Sequence, residues 1–128
     1  MAQVLVVDDS MMMRNTLRKI LEKAGHTVAG EAVNGEQAIA RYPSCQPDVV
    51  TMDITMPGLG GVETIKRLIE ADPAAKIIVV SSSGQKHVIF DALQAGARNY
   101  IIKPVSEDNL LPVIDLVLQN KQAPAPQL

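Results

Sequence analysis

The sequence holds a single cysteine, Cys45. No disulfide can close within the chain, and such cysteine usage fits a reducing compartment such as the cytoplasm. Basic residues are not in excess either: 12 Lys and Arg face 14 Asp and Glu, a formal net charge of −2. That balance speaks against nucleic acid or an anionic membrane surface as the partner. No uninterrupted apolar run approaches the ~20 residues that cross a bilayer. The first apolar run, Val4–Val7, stops at Asp8 and Asp9, too soon for the apolar stretch of a signal peptide. There is no repeated motif and no internal linker. The 128 residues, 47% hydrophobic and 20% charged, suffice for one domain with a core and are too few for two.

Short apolar runs alternate with helix-like stretches along the chain. Val4–Val7 is β-branched and reads as a strand buried on both faces. Ser10 is placed to cap a helix with Met13, Leu17, Ile20, Leu21 and Ala24 at the 3.6 period, closed by Gly25. His26 to Val33 reads as a second strand, and Asn34-Gly35 opens a helix expected to end at Pro43. Asp48–Met52 is a third strand, stopping at Asp53; Ile54 to Gly61 is a loop, and Val62, Ile65, Leu68 and Ile69 mark a helix ending near Asp72. Lys76–Val80 and Asn99–Ile102 are the fourth and fifth strands, with a helix bearing Ile89, Ala92 and Leu93 between them. A last helix carries Leu110, Leu111, Ile114, Val117 and Leu118. Repeated strand–helix units imply an α/β fold, a five-stranded parallel sheet with helices on both faces.

Ligands of such sheets bind beyond the carboxyl ends of the strands. There the chain places Asp8 and Asp9 after strand one, Asp53 after strand three, Ser81 after strand four and Lys103 after strand five. Three ionised carboxylates in one pocket repel one another and need a cation. Mg²⁺ suits a site of few carboxylates that also meets phosphate. Lys103 adds a positive point charge and Ser81 a hydroxyl donor, which completes a set for phosphoryl transfer to a carboxylate. Singly, each residue has a plainer reading. Asp9 alone is a helix cap or turn former, Lys103 alone a solvated side chain, and Ser81 a loop hydroxyl with Ser82 and Ser83 as rivals. Together they would have to share one sheet edge by accident.

The ordered set Asp8-Asp9-Ser, Met-Asp53-Ile-Thr-Met-Pro57-Gly, Val80-Ser81-Ser, Ala-Gly96-Ala and Tyr100-Ile-Ile-Lys103-Pro104 resembles the receiver domain of bacterial two-component response regulators. The likeness covers Val4 to Leu118 and implies the flavodoxin-like strand order 2-1-3-4-5. Residues 1–120 would form the receiver domain and 121–128 a disordered tail. It implies that Asp53 is the phosphoacceptor, served by a sensor histidine kinase of the CheA-like kind. Asp9 and Asp53 would ligate Mg²⁺ through carboxylates and Thr55 through its backbone carbonyl, with Asp8 holding metal-bound water. Ser81 would turn toward the phosphoryl group and Lys103 pair with it, Lys103-Pro104 would be cis, and Tyr100 would be the aromatic switch. Met52-Asp-Ile-Thr-Met-Pro57 and the lack of an output domain point to the stand-alone regulators of chemotaxis, whose effector is a flagellar motor switch protein, with a phosphatase as a further partner. Thr55, Ser83 and Val105 depart from that pattern, and the first two stand where the family sets the lifetime of the phosphoryl group.

Phosphorylation would bias the fourth helix, fifth strand and fifth helix, with Lys86, Ile89, Leu93, Tyr100 and Ile102 contributing to the output face. Ile89 and Leu93 read equally well as core residues of an amphipathic helix. Met13 is expected in the core, Met11 and Met12 partly exposed, and His26 and His87 are too isolated for a metal pair. An aspartyl phosphatase would need Asp-x-Asp after the first strand, and a flavodoxin-like cofactor binder a phosphate-cradling loop there. Asp8-Asp9 fits neither. A pseudo-receiver is disfavoured by the intact acid set; a phosphate sink or relay shuttle stays open.

Overall fold

The structure, a computed structural model, describes residues 1–56, 58–82 and 84–119. The expected disordered tail lies outside them. In chain order the elements are β1 (Gln3–Val7), α1 (Met11–Lys23), β2 (Thr27–Ala32), α2 (Gly35–Cys45), β3 (Val49–Met52), α3 (Gly61–Ala71), β4 (Ile77–Ser81), α4 (Lys86–Ala95), β5 (Asn99–Ile102) and α5 (Glu107–Leu118). The strands form one sheet in the order β2-β1-β3-β4-β5, and every pairing is parallel.

Side chains alternate across a strand, and here both faces are apolar because helices cover both. Leu5, Val7, Val50, Met52, Ile77 and Val79 pack with Ala38 of α2, Ile65 and Leu68 of α3, and Ile89, Ala92 and Leu93 of α4. Val4, Val6, Val49, Ile78, Val80 and Ile101 pack on the other face with Leu17 and Leu21 of α1 and Leu110, Ile114 and Val117 of α5. This two-sided burial is why the strands read as continuous apolar runs.

Helix ends follow local chemistry. The Ser10 hydroxyl accepts from the Met13 N–H, and the Asn34 side chain accepts from the Gln37 N–H. Ser106 and Asn109 form a reciprocal capping box at the start of α5. Gly96, at φ 124°, closes α4 in a conformation that other residues rarely adopt.

Pro43 does not end α2, contrary to the expectation from sequence: the helix runs on to Cys45. A proline removes one donor, and the turn beyond it is closed by the Gln46 N–H donating to the Tyr42 carbonyl at 3.1 Å. The Tyr42 hydroxyl also donates to Asp72 Oδ2 at 2.7 Å, tying this last turn to the end of α3. Pro112 likewise sits inside α5. Met13 packs against the α1–α5 side of the core, while Met11 and Met12 are exposed. His26 is buried, accepting the Ala2 N–H at Nδ1, and His87 is exposed.

The Thr51 hydroxyl is fully buried and finds no hydrogen-bond partner among the described residues. Replacing it by a methyl group of similar shape removes an unpaid desolvation cost. Thr51→Val is expected to raise the free energy of unfolding by about 1 kcal/mol, as read from the urea midpoint at unchanged slope.

Candidate functional site

Parallel pairing brings the carboxyl ends of the strands to one rim, and main-chain hydrogen bonds register the residues there. The Asp8 N–H donates to the Ala32 carbonyl at the end of β2 (3.0 Å), and the Asp53 N–H donates to the Val7 carbonyl (3.0 Å). The Lys103 N–H donates to the Ser81 carbonyl at 2.8 Å, joining the ends of β4 and β5. The Lys103-Pro104 peptide is cis. Asp8, Asp53 and Lys103 are thus each tied to a neighbouring strand through the backbone.

Asp8 and Asp53 are only 1% and 3% exposed, whereas Asp9 is open to solvent. One carboxylate oxygen from each of the three lies within 4.8 Å of the other two. Lys103 Nζ donates to Asp8 Oδ2 at 3.2 Å and stands 3.7 Å from Asp53 Oδ2. Asp53 Oδ1 accepts from the N–H and hydroxyl of Thr55, at 3.0 and 2.8 Å. Asp8 Oδ1 accepts the Ser10 N–H at 2.9 Å. Burial pushes the Asp8 carboxyl above its ordinary range; the Ser10 N–H and Lys103 pull it down, and the charge of Asp53 adds to the rise.

Three carboxylates facing one ammonium leave negative charge uncompensated. The donor set is all oxygen, and its members converge closely enough to share one ion, so the residues present fit a hard divalent cation. The loop after Asp53 is held against α3 at close range. A Cβ on Gly61 would come within 2.3 Å of the Ile54 Cα, so glycine is required where the helix meets that loop. Glu36 of α2 accepts the Leu59 N–H at 3.3 Å on the far side of the loop.

The rim therefore gathers Asp8, Asp53, Thr55 and Lys103 by direct contact, Asp9 by proximity alone, and Ser81 through its carbonyl. Of the rival hydroxyls, Ser82 is exposed while Ser81 is buried; Pro57 and Ser83 lie outside the described residues. At the expected output face Lys86 and Ile102 are exposed and Tyr100 is half-buried. Ile89 and Leu93 are 3% and 8% exposed and belong to the core. Their alternative reading as core residues is the one the structure shows. Sequence reasoning missed Arg14, whose Nη1 donates to the Asp8 carbonyl at 2.8 Å. It sits among the polar residues of α1, and no local pattern marks it.

Comparison with known proteins agrees with this geometry. Residues 4–115 match the response regulator receiver domain, and the chain belongs to that family, a class of signalling modules that accept a phosphoryl group. It is 45% identical to a chemotaxis protein CheY of Thermotoga maritima over 115 residues, 90% of this chain and 96% of that one. It is 42% identical to protein CcdB of Bacillus subtilis over 118 residues, 92% and 98% of the two chains. Among solved structures, the complex of CheX, CheY, BeF₃ and Mg²⁺ from Borrelia burgdorferi matches with TM-score 0.82 and 32% identity, covering 92% of this chain and 87% of that one. No helix among the described residues is long and apolar enough to cross a membrane.

The raised Asp8 carboxyl has a consequence for stability. Folded Asp8 holds its proton more tightly than the unfolded chain does, so ionising it costs folding free energy. That cost appears as pH rises from the ordinary value of 3.8 toward the raised one, and it persists at neutral pH. Without divalent ions, Asp8→Asn is expected to match wild type in acid and to exceed its thermal stability at neutral pH. A stability difference that stays flat across the titration contradicts this assignment.

Proposed function

We propose that this chain is a cytoplasmic response regulator receiver that accepts a phosphoryl group on Asp53 from a sensor histidine kinase. The observation carrying this reading is a buried Asp53 carboxylate set beside an ammonium and two further acids on one rim. In the transfer an Asp53 oxygen bonds to phosphorus as the bond from phosphorus to the kinase imidazole breaks, the imidazole leaving with that electron pair. Thr55 engages Oδ1 twice, so Oδ2, facing Lys103, is the attacking atom. Asp9, Asp53 and the backbone carbonyl of Thr55 would hold Mg²⁺, with Asp8 holding its bound water, and the ion would supply neutralisation of the phosphoryl oxygens.

The product carries about 1.5–2 added negative charges. Lys103, paired with Asp8 before transfer, is drawn to the new oxygens, and the Ser81 hydroxyl donates to one of them. Both move the ends of β4 and β5, next to the surface of α4, β5 and α5. Lys86, Tyr100 and Ile102 present that surface, with Ile89 and Leu93 packed behind it. The chain acts as a signalling receiver that catalyses its own phosphorylation and dephosphorylation.

Its near full-length likeness to the chemotaxis protein of Thermotoga maritima supports a role in chemotaxis. The kinase is then CheA-like and the effector a flagellar motor switch protein. The Borrelia complex supports a CheX-like protein as a further partner. The comparable likeness to CcdB favours a second reading, a receiver outside chemotaxis acting as phosphate sink or relay shuttle. Copurification with flagellar motor switch proteins separates the two.

Incubation with acetyl phosphate should add one phosphoryl group by intact mass, only with Mg²⁺ present and not in Asp53→Asn. No gain in wild type under any condition sinks the phosphoacceptor assignment. Lys103→Met should keep Mg²⁺ binding yet slow the gain by on the order of 10²-fold or more, the scale of losing a positioned charge at a transferring phosphoryl group.

A further inference from the structure

We propose that Arg14 is a positioning residue for the acid pair Asp8 and Asp9, itself held in place by Glu31; this rests on the reading of the rim as a Mg²⁺-dependent phosphoacceptor site. The Arg14 guanidinium is planar, with donors in a fixed fork. Its Nε donates to Glu31 Oε1 at 2.8 Å, and its Nη1 donates to the Asp8 carbonyl at 2.8 Å. The side chain is only 13% exposed. One rigid group therefore bridges α1, β2 and the segment leaving β1.

The Asp8 carbonyl belongs to the planar peptide that joins Asp8 to Asp9. Pinning that oxygen sets the direction in which the chain enters Asp9. The two acids differ in what else holds them. The Asp8 carboxylate is gripped by the Ser10 N–H and by Lys103. Among the described residues, no hydrogen bond or ion pair holds the Asp9 side chain. Arg14 thus does for Asp9, through the backbone, what direct contacts do for Asp8.

Glu31 is suited to orient Arg14. Its second oxygen accepts from Arg18 Nη2 at 2.6 Å, and its carbonyl accepts from Arg41. Arg18 and Arg14 hold its carboxyl below the usual range, so it is fully ionised at neutral pH. Partly exposed ion pairs contribute little to stability, and the Asp8 N–H already binds the end of β2. The consequence of the Arg14 contacts therefore falls on the orientation of the acids more than on the fold.

The test uses Mg²⁺ itself as the probe, titrated calorimetrically into wild type, Arg14→Gln, Arg14→Lys, Glu31→Gln and the Arg14→Gln/Glu31→Gln double variant. Thermal midpoints without Mg²⁺ are recorded for each. Residues that orient metal ligands typically carry a 10–100-fold effect on affinity, and Arg14→Gln should weaken Mg²⁺ by about 10-fold with little change in midpoint. Lysine keeps the charge but lacks the fork, so it should not rescue. Glu31→Gln should lose less, and the double variant no more than Arg14→Gln alone, because Glu31 acts through Arg14. Affinity within twofold of wild type in Arg14→Gln, rescue by lysine, or additive losses in the double variant would each overturn the proposal. Should Arg14→Gln not fold, Arg14→Lys carries the same comparison. A wild type that binds no Mg²⁺ overturns the metal reading itself, an outcome distinct from equal binding by wild type and variant.

Discussion

Three carboxylates confined within 4.8 Å of one another, two of them almost wholly buried, would drive their strand ends apart if nothing opposed them. The backbone does much of the opposing. Asp8 is tied to the end of β2 and Asp53 to the end of β1 by main-chain hydrogen bonds, and those strands are clamped between two apolar layers. Lys103 offsets part of the charge. The Asp8 carboxyl is nonetheless raised, chiefly because it is buried and to a smaller extent by the charge of Asp53. A site kept short of positive charge in this way fits a hard cation.

The same sheet that resists the repulsion also links the ends of β4 and β5. Lys103 lies at the end of β5, and its N–H is joined to the carbonyl of Ser81 at the end of β4. On the proposed function, a new anion at Asp53 would therefore meet two adjacent strand ends at once. The surface beyond them is built from side chains at different depths: Lys86 and Ile102 at the surface, Tyr100 half-buried, and Ile89 and Leu93 in the core. Close-packed interiors are bistable rather than continuously deformable. On the proposed function, a shift of the outer residues would thus be backed by the inner ones.

Close backbone approach is the second constraint on this rim. Gly61 lets α3 begin hard against Ile54, one residue past Asp53, and Glu36 braces the same loop from α2. On the opposite side, Arg14 and Glu31 brace the segment after β1. The rim is therefore braced from both flanks by residues outside the acid cluster.

The alternation of apolar runs and amphipathic stretches was legible from the sequence, because two-sided burial leaves unbroken β-branched strands and one-sided burial leaves a 3.6-residue stripe. So were Asp8, Asp9, Asp53, Ser81 and Lys103, since parallel topology sends residues that follow strands to one edge. Local signals were weaker where long-range contacts compete. Pro43 reads as a helix stop, yet packing and the Tyr42–Asp72 hydrogen bond carry α2 one turn further. Ile89 and Leu93 read equally as core or surface, because a helical stripe does not say what covers it; the sheet covers them. Arg14 and Glu31 carry no pattern at all, being 17 residues apart and joined only when α1 folds back over β2. The sequence by itself determined which chemical groups stand at the rim. Only the tertiary structure decided how they are charged, buried and aimed, because those properties come from neighbours distant along the chain.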